Sequence, residues 1–415
     1  MSLALKGLQD IKWKIVDLPD IVSFQEGPGV RKSQYTQDGV KLLNVANLQK
    51  GKVDLSTSER YISKEEAYGR YEHFLVDEGD LIIASSGIQI SYFEEKMGFI
   101  TKKHLPLCMN TSTIRFKTLN ENILNIRYFM YFLKTNFFKK QIQRLITGSA
   151  QLNFGPSHLK QIKVILPEIA IQDKIVELLD TTQKMIDKRQ QQIETLSALK
   201  QSIFLDMFGD PNSSDNKYQK QKIGNLIEVQ TGKTPSRKNS SYWNNGDIPW
   251  IKTTEVNNKQ IENPSEFVTE EAVIENNLKL FPKNTIFIAM YGQGKTRGQS
   301  SLLTFPATCN QACAALLPNE SVDELFLWNQ LLLQYESLRS LGRGGNQPNL
   351  NLSLVRDFEI LTPPLSLQEE YSNRIKRIDK IKEKIKISYS YLEQLYNSLI
   401  YKAFNGELFK MDTKV

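Results

Sequence analysis

From Ile171 to Phe208, apolar side chains return at positions 171, 175, 178, 179, 186, 193, 196, 199 and 203. That spacing lays them along one stripe of an α-helix. A second stretch near the end of the chain is more regular. Ile378, Ile385, Leu392 and Leu399 stand seven apart, and Ile381 and Leu395 fall three residues beyond the first and third. Such a heptad seam predicts a long helix paired with another as in a coiled coil. Ser366, three residues before Glu369, has the form of a capping box at its start. Pro167 and Pro363-Pro364 keep the chain extended ahead of each helix. The first seam is interrupted by Thr182 and Arg189, where the second has Ile378 and Ile385.

Ahead of each helix the period shortens. Leu42 to Val45, Asp80 to Ala84, Ser112 to Phe116, Ile248 to Ile251 and Thr285 to Ala289 read as short strands between turn-rich loops. Arg127 to Ile146 and Leu325 to Leu341 have helical apolar spacing late in each half. The Gly-, Pro-, Asn- and Ser-rich run from Gly209 to Asn216 marks a stop and a linker.

The two halves also repeat each other. Gly148 to Asp210 aligns without a gap on Gly344 to Gly406, with Pro167 on Pro363. In that register of 196 residues Asn153 falls on Asn349, Gln172 on Gln368, Leu199 on Leu395 and Phe208 on Phe404. The chain is a tandem duplication of one unit of roughly 200 residues, too long for a solenoid repeat.

The length of 415 residues allows two or more domains with proper cores, and the formal charge of +7 leans weakly towards a polyanionic partner. Three cysteines (Cys108, Cys309, Cys313) without framework spacing fit a reducing, cytoplasmic setting. The start lacks a signal-peptide run, and no stretch approaches the ~18 apolar residues of a membrane span.

Few motifs suggest chemistry. Ala289 to Thr296 matches a relaxed phosphate loop, but Arg297-Gly298-Gln299-Ser300-Ser301 does not open the helix such a loop requires. Cys309 and Cys313 have no partners for a zinc set, and His73, His104 and His158 are scattered. Pro19-Asp20 with Glu94-Glu95-Lys96 is too loose for a nuclease carboxylate set. No catalytic residue, metal ligand or cofactor site is assigned.

What recurs is loop chemistry suited to nucleic acid. Thr231 to Lys238 sets Lys233, Arg237 and Lys238 among small hydroxyls, including Thr234. Tyr291 to Gly298 adds Lys295 and Arg297 on a Gly-rich basic loop, read as flexible. Arg343 to Asn349 supplies Arg343, Asn346 and Gln347, and Lys252 follows the Ile248–Ile251 run. The first half offers Gly27 to Lys32 with Arg31 and Lys32, then Ser85-Ser86-Gly87, and Thr147 to Asn153 with Gln151 and Asn153. Glycine lets backbone approach a phosphate, cations neutralise it, and Asn, Gln and Arg pair with base edges. Each such loop taken alone is an ordinary solvated turn; their recurrence at equivalent places in both halves singles them out. Asn346, Gln347, Gln151 and Asn153 serve equally well as amides that satisfy turns.

The chain resembles the DNA-specificity subunit of type I restriction–modification systems. The resemblance rests on the order of Trp13 to Leu18, Ser202 to Pro211, Thr231 to Pro235, Ile248 to Lys252, Gly345 to Leu350 and Leu361 to Glu370, together with the duplication. It implies a mixed α/β (α+β) fold: two globular target-recognition domains joined by two long antiparallel helices in coiled-coil packing, with a pseudo-twofold internal repeat. It further implies that each domain reads one half of an asymmetric, bipartite site in double-stranded DNA. The helices would act as a ruler and dock two adenine methyltransferase subunits. S-adenosylmethionine and ATP would be bound by partner subunits, the latter by the restriction and translocation subunits, and none by this chain. The expected parts are recognition domains at 13–165 and 217–362, helices at 168–208 and 366–405, and a linker at 209–216. About forty residues at ~1.5 Å each make a rod of roughly 60 Å, against ~34 Å between like faces of B-DNA. The alternative is a non-enzymatic coiled-coil adaptor whose heads bind proteins.

Overall fold

The computed structural model describes residues 13–57, 59–146, 152–292, 294–342 and 349–408. Helix and sheet are mixed, and the chain divides into two units: residues 1–188 with 389–415, and residues 189–388.

In the first unit a four-stranded antiparallel sheet has the order Val22–Glu26, Thr113–Thr118, Leu81–Ala84, Met97–Phe99. Beside it, Leu107–Met109 runs parallel to Val40–Leu43, which pairs antiparallel with Tyr61–Ile62. Lys14–Asp17 closes against Lys163–Leu166. The second unit repeats this strand for strand. Its four-stranded sheet has the order Val229–Thr231, Cys313–Leu316, Ile286–Ala289, Ser300–Leu302. Thr308–Cys309 runs parallel to Ile248–Ile251, which pairs with Phe267–Val268, and Lys220–Lys222 closes against Glu359–Leu361. The duplication therefore extends into the heads, where the two sequences have lost their likeness.

Local chemistry moved some expected boundaries. The strand expected at 42–45 ends at Leu43, because Asn44 and Asn47 start a short 3-10 turn in which the Asn44 amide donates to Asn47 Oδ1 at 2.9 Å. The expected helix 127–146 is two helices, Ile126–Lys134 and Asn136–Leu145. Thr135 separates them: its hydroxyl accepts from the Phe138 amide at 3.2 Å and caps the second. The stretch 325–341 divides likewise into Glu324–Leu333 and Tyr335–Ser340.

The long helices, Ile169–Phe208 and Leu365–Phe404, are both forty residues and keep the 196-residue register at each end. Ser366 lies inside the first turn instead of capping it. The side chain that fastens each start is the repeated glutamine. Gln172 is buried; its Nε2 donates to the Pro167 and Ile123 carbonyls at 2.8 and 2.9 Å, and its Oε1 accepts from the Asn125 amide at 2.9 Å. Gln368 donates to the Pro363 carbonyl at 2.8 Å and accepts from the Asp323 amide at 3.0 Å. Asn125 and Asp323 are themselves the caps of the helices Ile126–Lys134 and Glu324–Leu333. One side chain thus ties the long helix to the head's buried helix.

The seam takes a different phase from the one read off the sequence. Ile378 is covered, but Ile381 and Leu395 are about half exposed. The positions that turn inward lie four residues after each heptad leader, at Lys382, Tyr389, Tyr396 and Ala403. Thr182, one of the expected interruptions, is buried, with its hydroxyl satisfied by the Leu178 carbonyl at 2.9 Å. In the first unit Ile175, Val176, Leu179 and Ile186 share a core with Tyr396, Ile400, Ala403 and Phe404. In the second, Phe204 and Phe208 share one with Tyr371, Ile375 and Ile378. There Lys200 pairs with Asp379 at 3.0 Å and Lys382 with Ser197 at 2.6 Å, which sets the two helix segments antiparallel within that unit. No helix among the described residues is long and apolar enough to cross a membrane.

Replacing Gln172 by Ala strands a buried amide and two carbonyls, so urea denaturation should show a loss of about 2 kcal/mol or more, with Gln368→Ala behaving alike. An unchanged midpoint in both variants would show that the glutamines fasten nothing.

Candidate nucleic-acid interface

Each head brings together loops that lie far apart in sequence. In the first, the short strand at Leu152–Asn153 pairs with Ser86–Ile88, and the Phe154 amide donates to the Ser85 carbonyl at 2.9 Å. In the second, the Leu350 amide donates to the Met290 carbonyl at 3.0 Å. The loop after the central strand thus meets the start of the repeated segment in both. Asn153 is placed there, exposed. Gln151, Arg343, Asn346 and Gln347 lie outside the described residues.

A second common feature is a glycine jammed against backbone. A Cβ at Gly27 would lie 2.1 Å from the Asn110 carbonyl oxygen, and one at Gly232 would lie 1.8 Å from that of Cys309. Only glycine fits either place. Each opens a candidate loop. After Gly27, Arg31 and Lys32 are exposed around a 3-10 turn that Gln34 fastens, its Nε2 donating to Glu66 at 2.7 Å and to the Tyr71 hydroxyl at 3.0 Å.

After Gly232, Lys233, Thr234, Arg237 and Lys238 are exposed. The Lys233 ammonium donates to the Asn276 carbonyl at 3.3 Å, and Thr234 bonds to the Gln311 side chain. Arg237 is held on three sides. Its guanidinium lies 3.6 Å from the Trp243 ring centroid and 4.8 Å from that of Trp250, and it pairs with Glu266 at 2.6 Å. Lys252 pairs with the same carboxylate at 2.7 Å. Burial opposes ionisation of Glu266, but the bonds from Lys252 and Arg237 outweigh it and hold the carboxyl below its ordinary range. The sequence singled out both cations; their shared partner and the two indoles were missed, because nothing local links positions 237, 252 and 266.

The Gly-rich loop joins two paired strands, Ile286–Ala289 and Ser300–Leu302, so it is a hairpin connection and not the mouth of a phosphate-binding helix. The loop, read from the sequence as flexible, is contacted by the helix Tyr335–Ser340. The Tyr335 hydroxyl donates to the Lys295 carbonyl at 2.6 Å, and Arg339 donates to the carbonyls of Gly294 and Arg297. A Cβ at Gly298, where φ is +83°, would lie 3.1 Å from Arg339. Three backbone carbonyls are thus bonded, while the side chains of Tyr291 and Lys295 stay exposed and Arg297 is half-buried.

Other chemistry-bearing residues do structural work. His104 and His158 accept from the Thr101 and Gly155 amides at 3.1 and 3.2 Å. Burial pushes the Cys108 thiol up to about 12, and no group of His, Cys, Asp and Glu among the described residues is arranged to hold a metal.

The long helices carry a further repeated feature. Met185 and Ile381, Leu199 and Leu395, and Leu205 and Tyr401 are three pairs in the 196-residue register, and all six are between 39% and 62% exposed.

The Glu266 brace has a pH signature. Its folded carboxyl titrates below the ordinary 4.5, so its stabilisation is present above about 4.5 and is lost as pH falls through the lowered value. Acid titration should therefore change the fluorescence of Trp243 and Trp250 in that range, and Glu266→Gln should abolish the step. The same step in the variant would assign it elsewhere.

Comparison with known proteins accounts for the repeated architecture. The family model "Type I restriction modification DNA specificity domain" matches twice, over residues 10–198 and 215–388. The specificity subunit of the type I restriction enzyme EcoR124I/EcoR124II of Escherichia coli is 25% identical over 39% of this chain, a match spanning only 41% of that relative. The StySPI specificity subunit of Salmonella potsdam is 21% identical over 95% of this chain and 89% of its own length. The crystal structure of a type I restriction–modification S subunit from M. genitalium shares the fold, with a TM-score of 0.56 at 17% identity over 97% of this chain and 99% of that one. Two matches of one model, laid over two heads of one topology, each with its long helix, place this chain in the type I restriction–modification DNA-specificity family.

Proposed function

We propose that the chain is the sequence-reading, non-catalytic subunit of a type I restriction–modification complex, and that each head reads one half of an asymmetric, bipartite site in double-stranded DNA. The observation that carries this reading is one strand topology bearing unlike loops at equivalent places. A common frame presents different side chains: Arg31, Lys32 and Asn153 from residues 13–165, and Lys233, Thr234, Arg237, Lys238, Lys252, Tyr291, Lys295 and Arg297 from residues 217–362. Different side chains read different bases, while lysines and arginines supply the phosphate contacts. Gln151, Arg343, Asn346 and Gln347 are proposed as DNA contacts on the sequence alone.

The helices fix the spacing between the half-sites and dock two copies of an adenine methyltransferase subunit. The repeat-related exposed pairs support the count of two, since one partner surface needs the same apolar pattern twice. S-adenosylmethionine is bound by those subunits and ATP by the restriction and translocation subunits, in the cytoplasm.

Sequencing of modified bases after methylation of random DNA by the reconstituted complex should reveal two different half-sites around an unspecified spacer. One continuous motif, or two identical half-sites, would count against the reading. One heptad added to each helix lengthens it by about 10 Å, so the preferred spacer should grow by roughly two to three base pairs with both half-sites kept. A change in half-site identity would refute the ruler. DNA affinity should also fall steeply with salt, as expected of several phosphate contacts; a flat response would favour a protein-binding adaptor.

A further inference from the structure

The two units can be compared position by position, and at one place on their long helices they differ in chemistry. In the first unit Tyr131, Ile186 and Tyr396 are buried, and the rings of the two tyrosines stand 6.5 Å apart. The 196-residue register carries Ile186 onto Lys382, and Tyr396 onto Lys200. Tyr131 lies on the helix capped by Asn125; the same place on the helix capped by Asp323 is held by Asn329. Two phenol rings and an isoleucine in one unit thus become two ammonium groups and an amide in the other.

In the second unit these residues line a cavity of about 550 Å³, within the ~300–1,000 Å³ of small-molecule sites. Lys200, Lys259, Lys382 and Lys386 face it against Glu262, Asp379 and Glu383. Asp379 is engaged by Lys200 at 3.0 Å and Glu383 by Lys386 at 3.4 Å. Lys382 donates to the Ser197 hydroxyl at 2.6 Å, and no carboxylate among the described residues pairs with it. Burial, and then the ammonium groups of Lys200 and Lys386, push its pKa below the ordinary value, by more than Asp379 raises it. An anion beside Lys382 offsets that unfavourable charging.

Two buried polar side chains on the cavity wall have a group to spare. Asn329 is 7% exposed; its Nδ2 donates to the Leu325 carbonyl at 2.7 Å, while its Oδ1 meets no donor among the described residues. Tyr371 is 1% exposed, and its hydroxyl has no hydrogen-bond partner among the described residues. Burial pushes that phenol's pKa up, and Asp379 adds to the push, so the group stays a proton donor. Buried polar groups call for partners. A phosphate monoester answers all three: its oxygens accept from the ammonium and the phenol, and an amine or hydroxyl of its organic part donates to Asn329.

We propose that the second unit binds a phosphate monoester of nucleotide size in this cavity. Lys382 and Tyr371 hold the phosphate, and Asn329 accepts from the organic part. The first unit, with its tyrosines in the equivalent place, is not expected to bind one.

Isothermal titration calorimetry of the full chain with adenosine 5′-monophosphate, in a phosphate-free buffer, tests this. One saturable site per chain is expected, with inorganic phosphate competing more weakly. Lys382→Gln should weaken binding about tenfold or more, whereas Lys384→Gln, on the same helix but outside the lining, should leave it unchanged. Lys200→Tyr/Asn329→Tyr puts the first unit's rings into the cavity and should abolish binding; if that variant proves destabilised in urea, Lys382→Gln decides alone. No saturable binding by the unmutated chain, or equal binding by Lys382→Gln, would overturn the site. Binding of inorganic phosphate but not of the nucleotide would overturn the ester. Displacement of the nucleotide by a DNA duplex would overturn the small ligand and give the phosphate contact to DNA.

Discussion

Neither head closes its core with its own strands. In the first unit Phe404 stacks on Tyr128 at 5.0 Å, and Ile400 and Ala403 are buried with it. In the second, Phe208 meets Phe326 at 4.9 Å and Tyr371 at 5.6 Å, with Phe204 beside them. Each head is thus completed by the C-terminal end of a forty-residue helix, Leu365–Phe404 in the first unit and Ile169–Phe208 in the second. Burying one such phenyl ring contributes about 2–3 kcal/mol. Within a helix, one inserted residue turns every later side chain by about 100° and would move the ring off the core it fills. That constraint explains why the repeat is gapless from Gly148 to Asp210 while the head sequences have diverged.

The same reasoning separates what the sequence made legible from what it hid. The duplication, both long helices and the strands at Ile248–Ile251 and Ile286–Ala289 are written in local spacing, and local spacing is what helix and strand geometry fix. The strand end at Leu43 and the break at Thr135 depend on single side-chain bonds to backbone amides, which compete with propensity and leave only a faint signal. The common topology of the heads was not legible, because a buried strand such as Leu81–Ala84 demands only apolar residues of suitable volume. The Glu266 brace was hidden for another reason: it joins residues from three separate loops. The paired role of Gly27 and Gly232 stood closer to the surface, since both follow a strand and open a basic loop.

The misread seam carries a functional meaning. A heptad repeat leaves two choices for the second seam position, three or four residues after the first, and the second helix has apolar residues at both. Packing within the units takes the four-residue choice, so Ile381 and Leu395 remain outside, as do their repeat mates Met185 and Leu199. Apolar residues left about half exposed that recur at equivalent places in both copies fit a surface kept for a repeated partner better than they fit chance. The proposed docking of two methyltransferase subunits gives those residues a reason to exist.

Reading bases requires donors held in place before the duplex arrives, because ordering a loose loop on binding subtracts from the affinity gained. In the second head, side-chain contacts hold parts of the loops proposed to read DNA. Arg339 and Tyr335 fix three carbonyls of the glycine loop, and two indoles and a carboxylate fix Arg237. The arrangement also lowers the electrostatic gain below what the formal charge of the loops suggests, since a phosphate must compete with Glu266 for both Arg237 and Lys252. In the proposed reading, a cation already paired with Glu266 gives up part of its attraction for any phosphate in return for a fixed position, which favours discrimination among sequences.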